Sequence, residues 1–123
     1  MSVVFSSINN ALIVKKKSVK IKFSKKNFLF VTFLFNQNLI SNYNLVNDFI
    51  IIHFYYKKGK SLFQKISGIT PKGQNIILNN KEILQYKKNN FYIFLFQTPY
   101  GLLEVRDIKK FKTGGTLVCK IKF

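Results

Sequence analysis

Hydrophobic positions change period several times along this chain, and each change marks an element. Val4, Ile8, Ala11 and Leu12 stand near helical spacing, which predicts a first helix over Val3–Ile13. Lys15, Lys16 and Lys17 follow as a basic turn. Val19, Ile21 and Phe23 then alternate with Lys20 and Lys22, the period of a strand with one apolar and one cationic face. Ser24 is a good N-cap for a helix over Lys25–Phe35. The Phe, Val and Thr inside that segment favour strand, but its length and the cap decide for a buried helix. Asn36, Gln37 and Asn38 end it, and Asn42–Asn47 reads as a polar, turn-rich loop.

The second half is weighted to strand. Asp48–Tyr56 is a strong strand, Lys57–Lys60 with Gly59 a hairpin turn, and Ser61–Ile69 the returning partner. Thr70–Asn75, with Pro71 and Gly73, is a loop. Ile76–Leu78 is a short strand, Glu82–Tyr86 a helical turn and Lys87–Asn90 a polar turn. Phe91–Phe96 is a clear strand. Gln97–Gly101 is a tight connection punctuated by Pro99 and Gly101, and Leu102 and Leu103 extend briefly. Val105, Ile108 and Phe111 mark a short amphipathic helix that Gly114 and Gly115 stop. Thr116–Phe123 closes the chain as a strand, with Leu117, Cys119, Ile121 and Phe123 on one face and Lys120 and Lys122 on the other. The class is α+β.

Charge changes the picture most. Lys and Arg number 21 against 4 Asp and Glu, a formal net charge of +17 on 123 residues. A disordered basic arm is poor in aromatic and β-branched residues, whereas 14 Phe and 6 Tyr here are enough to build a core. A folded domain this basic repels itself and needs a polyanion beside it. Nucleic acid is the strongest candidate, because neutralising phosphates gives large, salt-dependent affinity. The length fits one domain or two small lobes sharing a core. Lys, Asn, Ile, Phe and Tyr make up 68 residues, while Ala and Arg occur once each. These five residues have codons built from A and T up to the wobble base, which points to an AT-rich genome such as an organelle's; the base composition of the gene tests it.

Little in the chain can catalyse a reaction. One Cys and one His exclude a disulfide framework and a Cys/His metal cluster, and the compartment is expected to be reducing. Glu104 and Asp107 share one face of the short helix, where they complement its dipole. His53 in mid-strand reads as a packed or pairing histidine and Cys119 as a core thiol. Lys72-Gly73 ends like a phosphate-binding loop but lacks the upstream glycine and the following Ser or Thr. No secretory signal is expected from the first residues, and the apolar runs at 27–35 and 49–56 fall short of the ~20 residues of a spanning helix. The lysines are different. They alternate on strands and fill turns rather than gathering on one amphipathic helix, which argues against a membrane-surface protein. The loops at Thr70–Asn75 and Thr98–Gly101 let backbone approach a sugar–phosphate chain, and Tyr100 can stack there on a base or ribose.

The last third, taken as one pattern, runs apolar strand, Gln97-Thr98-Pro99-Tyr100-Gly101, short helix, Gly114-Gly115 and a terminal strand bearing Cys119. This order resembles small-subunit ribosomal protein eight of the bacterial and organellar type. In that family a Ser-Thr-Ser loop, one further residue and Gly precede a short helix, a Gly-Gly pair and a Cys-bearing last strand. Upstream, Ile66–Asn75 is similar to the family's Ser-Arg/Lys-Pro-Gly-Arg-Arg segment. Glu82-Ile83 matches an acidic-aliphatic pair, Ile8-Asn9-Asn10-Ala11 matches Ile-Arg-Asn-Ala, and Ser24-Lys25 matches the Ser-Lys that opens the second helix. The chain departs from the pattern where Gln97 and Pro99 replace serines, Lys72 replaces Pro, and Asn9 and Asn75 replace Arg.

The resemblance implies two α+β lobes. One, over 1–68, is helix-strand-helix-strand-strand; the other, over 69–123, is mostly β with a short helix. It also implies a structural and assembly role on the central domain of small-subunit ribosomal RNA. The partners would be that RNA and neighbouring small-subunit proteins, with no reaction, cofactor, metal, membrane or small-molecule substrate. The location would be the mitochondrion, with a plastid or an AT-rich bacterium as alternatives. The competing reading is a non-ribosomal basic RNA- or DNA-binding module. Basic faces, loops and resemblance together give the candidate RNA-binding set: Asn9, Asn10, Lys25, Lys72, Gly73, Gln74, Asn75, Gln97, Thr98, Pro99, Tyr100, Gly101, Gly114, Gly115 and Lys120.

Overall fold

The computed structural model describes residues 2–68, 76–86 and 91–123. The loop expected at Thr70–Asn75, the turn at Lys87–Asn90 and the candidates Lys72, Gly73, Gln74 and Asn75 lie outside the described residues. The chain divides into two units, Met1–Lys65 and Ile66–Phe123. Both mix helix and antiparallel sheet, an α+β fold.

The first unit opens with α1 (Ser2–Ile13), whose Val4, Phe5, Ile8, Ala11 and Leu12 are buried along one stripe. β1 (Ser18–Lys22) leads to α2 (Lys25–Asn36). Ser24 caps α2 as its sequence suggests, accepting a hydrogen bond from the Asn27 amide at 3.1 Å. Burial of Phe30, Val31, Phe33 and Leu34 against the unit's interior outweighs their strand preference. Phe5 meets Phe30 edge-on at 5.2 Å.

The polar segment expected as a loop is instead a strand, β2 (Asn42–Val46), joined to β3 (Phe49–His53) by the two-residue turn Asn47-Asp48. Asn47 takes the left-handed conformation (φ 54°) that such a turn requires. The sheet runs β1-β3-β2, with β3 central. Val19 and Ile21 lie opposite Ile52 and Ile50 on the core face, and Lys20 and Lys22 opposite Ile51 and Phe49 on the other. The cationic face of β1 is therefore shared with apolar side chains: the Lys20 ammonium sits 3.9 Å from the centre of the Phe49 ring. Phe23 lies beyond the strand and is exposed.

A two-residue hairpin, β4 (Tyr56–Lys57) and β5 (Lys60–Ser61), turns through Lys58-Gly59. The returning strand expected over Ser61–Ile69 does not go back along β3. Its later part, β6 (Lys65–Gly68), lies beside the last strand of the chain.

The second unit is built on a sheet ordered β6-β10-β8-β9, with β7 (Ile76–Leu78) also on β10. Its long strands are β8 (Tyr92–Thr98) and β10 (Gly115–Lys122), joined at the edge by β9 (Gly101–Glu104). Two short helices complete it, α3 (Asn80–Ile83) and α4 (Val105–Phe111). Ile83, Phe96, Ile108 and Leu117 form its core, with Leu78, Tyr86, Phe94, Leu103 and Val105 packed around them.

The last strand departs from simple alternation. Leu117 pairs with Phe96 but Cys119 with Leu95, so Val118 is a bulge. The extra residue moves Cys119 and Ile121 to the face opposite Leu117 and places Lys120 opposite Phe94, on the Leu117 and Phe96 face. Lys120 is thus not on a cationic outer face; it is half-buried with its ammonium 4.9 Å from the centre of the Tyr92 ring. Phe123 lies beyond the strand and is exposed rather than in the core.

Candidate nucleic-acid interface

The β8–β9 hairpin places one end of the second unit's sheet around a two-residue turn, Pro99-Tyr100, closed by the pair Thr98 and Gly101. Thr98 is 5% exposed, and its hydroxyl is used twice. It donates to the Gly101 carbonyl at 2.9 Å and accepts from the Tyr100 amide at 3.1 Å. A small β-branched hydroxyl suits this place: the methyl fills the sheet interior while the oxygen closes the turn. Gly101 has φ 104°, which a side chain would strain, and the space beside its Cα is open.

Gly114 and Gly115 are glycines for a different reason from helix stopping. The helix α4 ends on Lys112, which takes the left-handed conformation (φ 50°). A Cβ on Gly114 would stand 2.7 Å from the Leu78 carbonyl oxygen. One on Gly115 would stand 2.7 Å from the Gln97 carbonyl oxygen and 2.9 Å from the Thr98 methyl. Glycine lets β10 pass close beside the turn. Gln97, Thr98, Pro99, Tyr100, Gly101 and Gly115 therefore gather at one end of the sheet, with Gly114 beside Gly115.

The outward group of this tip is aromatic. Tyr100 is 61% exposed and stacks on Phe111, with ring centres 4.8 Å apart and planes at 21°. Phe111 is itself 48% exposed, although its place in the helical pattern suggested core. The spacing held the signal: six residues beyond Val105, at 100° per residue, Phe111 is turned about 120° from it. Lys109, Lys110 and Lys112 flank Phe111 and are exposed. Gln97 is exposed, with its amide donating to the Thr98 carbonyl at 3.2 Å.

Lys120 does not join this cluster. It lies five residues along β10 from Gly115, about 17 Å at strand rise. Asn9, Asn10 and Lys25 belong to the first unit: Asn9 is half-buried on α1, Asn10 exposed beside it, and Lys25 exposed at the start of α2.

Groups that could have carried acid–base or nucleophilic chemistry are engaged in structure. Glu82 completes a capping box with Asn79 at the start of α3. Glu104 caps α4 through the Arg106 amide and lies 3.6 Å from its guanidinium, and Asp107 stands in the same first turn. Asp48 sits in the β2–β3 turn. His53 Nε2 lies 3.1 Å from the Asn44 side-chain nitrogen, so the ring pairs within its own sheet. Burial pushes the Cys119 thiol up to about 12, so it stays protonated and unreactive. Among the described residues no group of His, Cys, Asp and Glu could hold a metal ion, and no helix is long and apolar enough to cross a membrane.

Fold and site together define a class: a basic α+β protein whose second unit presents an aromatic and cationic tip. The chain belongs to the ribosomal protein S8 family, whose model matches residues 1–122. It is similar to the small ribosomal subunit protein uS8 of Lawsonia intracellularis, at 26% identity over 98% of this chain and 95% of the relative. The uS8 of Borrelia turicatae is 29% identical over 94% and 91%. That of Oleidesulfovibrio alaskensis is 25% identical over 93% and 90%. The chain is a structural protein of the ribosome, not an enzyme.

Proposed function

We propose that this small-subunit ribosomal protein binds the central domain of the small-subunit ribosomal RNA through the tip of its second unit, and helps that domain fold during assembly. The carrying observation is the stacked Tyr100–Phe111 pair on a turn locked by Thr98. RNA with its own tertiary fold offers shallow minor grooves and unstacked bases, which proteins read by shape, stacking and 2′-hydroxyl contacts. The outward face of Tyr100 offers a stacking platform, and Gly101 leaves room for a ribose beside it. Lys109, Lys110 and Lys112 supply phosphate neutralisation, and lysines elsewhere add affinity by releasing counterions.

Thr98 acts from behind in this mechanism. Its hydroxyl fixes the turn that aims Tyr100, and the RNA meets Gln97, Pro99, Tyr100 and Gly101. Lys72, Gly73, Gln74 and Asn75, with Asn9, Asn10, Lys25 and Lys120, are further proposed contacts. AT-rich residue usage in a chain whose named relatives are bacterial supports a mitochondrial location.

The test is binding of the full chain to separate transcripts of the small-subunit RNA domains at fixed salt. Tight binding to the central domain, undisturbed by an excess of the other domains, is the expected result. Equal affinity for all of them would overturn domain recognition and favour a general nucleic-acid binder. Cell fractionation tests the location: recovery in plastid or cytoplasmic ribosomes would overturn that part alone.

A further inference from the structure

Two turns of the first unit carry six lysines, none of them among the candidate RNA contacts. Lys15, Lys16 and Lys17 follow α1, and Lys57, Lys58 and Lys60 belong to the β4–β5 hairpin. The fold ties the two turns together. The Tyr56 hydroxyl donates to the Lys16 carbonyl at 2.6 Å, and the Phe54 amide donates to the Lys17 carbonyl at 2.8 Å. The Lys15 ammonium reaches the hairpin tip, 3.6 Å from where a Cβ on Gly59 would stand. All six lysines are exposed. The one acidic residue of this unit, Asp48, does not offset them. Its carbonyl accepts from the Phe23 amide beyond the Lys22 end of β1, whereas the lysines adjoin the Ser18 end.

The backbone argues that charge is what these turns need. Lys15 and Lys58 both take the left-handed conformation, at φ 56° and 52°. Asn or Gly suits such places better, after a helix and at the head of a two-residue hairpin turn. The chain does use Asn at two other left-handed positions, Asn38 and Asn47. Base composition does not explain the difference: Lys and Asn codons differ only at the wobble base, so an AT-rich gene supplies either. We infer that the two turns form a phosphate-binding site, additional to the Tyr100 tip, which takes successive phosphates of an RNA strand. The inference rests on the RNA-binding reading above. Lysine ammoniums are compact point charges that suit phosphate, and a dense row of phosphates releases the most counterions to such a cluster. An anionic membrane surface suits it less, because the lysines stand on two turns rather than along one amphipathic helix.

The experiment combines Lys15→Asn with Lys58→Asn in the full chain and measures binding to transcripts of each small-subunit RNA domain across a salt series. Asn favours the left-handed backbone, so the melting temperature should hold or rise, which shows that the variant is folded. At about 100 mM salt, affinity should fall at least about tenfold, and by the same factor for every transcript. The slope of log affinity against log salt should become shallower by about 1.5. Lys15→Arg with Lys58→Arg keeps both charges and should hold affinity within about twofold. Affinity and slope unmoved in the Asn pair, or a loss confined to one transcript, would overturn the proposal. If the Asn pair then weakens capture of polyglutamate or of phosphatidylserine vesicles instead, the cluster serves an acidic protein or a lipid surface. Equal binding of all transcripts by the unsubstituted chain would overturn central-domain recognition, the reading beneath, and not this site.

Discussion

Thr98→Val is the sharpest perturbation of the turn, because it removes one oxygen and keeps the shape. Two bonds go with that oxygen, the one given to the Gly101 carbonyl and the one taken from the Tyr100 amide. Each is worth about 0.5–1.5 kcal/mol net, so together they contribute roughly 1–3 kcal/mol. The turn is only partly buried and water can re-satisfy its backbone, which puts the expected loss near the lower end, about 1–2 kcal/mol. For a chain this size that is a fall in melting temperature of roughly 4–8 °C. The methyl that lies against Gly115 remains, so core packing is kept. RNA affinity should fall at least about tenfold, because Tyr100 is no longer held in one direction and orientational freedom must be lost on binding. Thr98→Ser separates stability from aim: it loses the methyl at a cost near 1 kcal/mol but keeps both bonds. Its melting point should fall while affinity for a central-domain transcript stays within about twofold. Fluorescence anisotropy at fixed salt and thermal melting by circular dichroism read the two quantities. Wild-type affinity in Thr98→Val, or equal loss in both variants, would refute the argument.

Other outcomes follow from the same geometry. Tyr100→Ala should weaken RNA binding by about 5- to 150-fold, the worth of one base–aromatic stack, with little change in melting temperature; filter binding reads it. Gly115→Ala forces β10 away from Gln97 and Thr98 and should cost about 1–3 kcal/mol in denaturant unfolding while also weakening RNA binding. Native Cys119 should resist iodoacetamide at pH 8 and react only on unfolding. Burial holds the folded thiol at about 12 against 9.0 in its ordinary state, so only the unfolded chain ionises between those values. Stability should therefore fall as pH rises from 9 toward 12, more steeply than in Cys119→Ala.

The elements whose sequence signals were local were legible. Ser24 announced α2 against the strand preference of its own phenylalanines, and Pro99 with Gly101 marked the turn at the candidate site. The misreadings arise where a partner decides the outcome. Asn42, Asn44 and Asn47 look like loop residues, yet pairing with the apolar β3 makes two of them strand and the third its left-handed turn. Nothing local marks Val118 as a bulge; the register against β8 does so, and that one residue carries Lys120 onto the aromatic face. Gly114 and Gly115 were recognisable as necessary, but the necessity is the close passage of Leu78 and Gln97 rather than the end of α4. Tyr100 was legible in the turn, but its partner was hidden for the same reason, since Phe111 meets it only after β9 has returned the chain.

The cationic excess also takes on a more divided meaning. Lys20 and Lys120 lie over Phe49 and Tyr92 within their own units, while the exposed Lys109, Lys110 and Lys112 flank Phe111 of the outward pair in sequence. A net charge of +17 therefore overstates the number of phosphates met. If six to ten lysines engage, affinity should fall roughly 10³- to 10⁵-fold between 50 and 200 mM salt.

Sedimentation of the native chain from its own cells tests the central claim most directly. The chain should co-migrate with the small ribosomal subunit through moderate salt and leave that position when the RNA is digested. Migration as free protein, or with a particle that lacks small-subunit ribosomal RNA, would contradict the account.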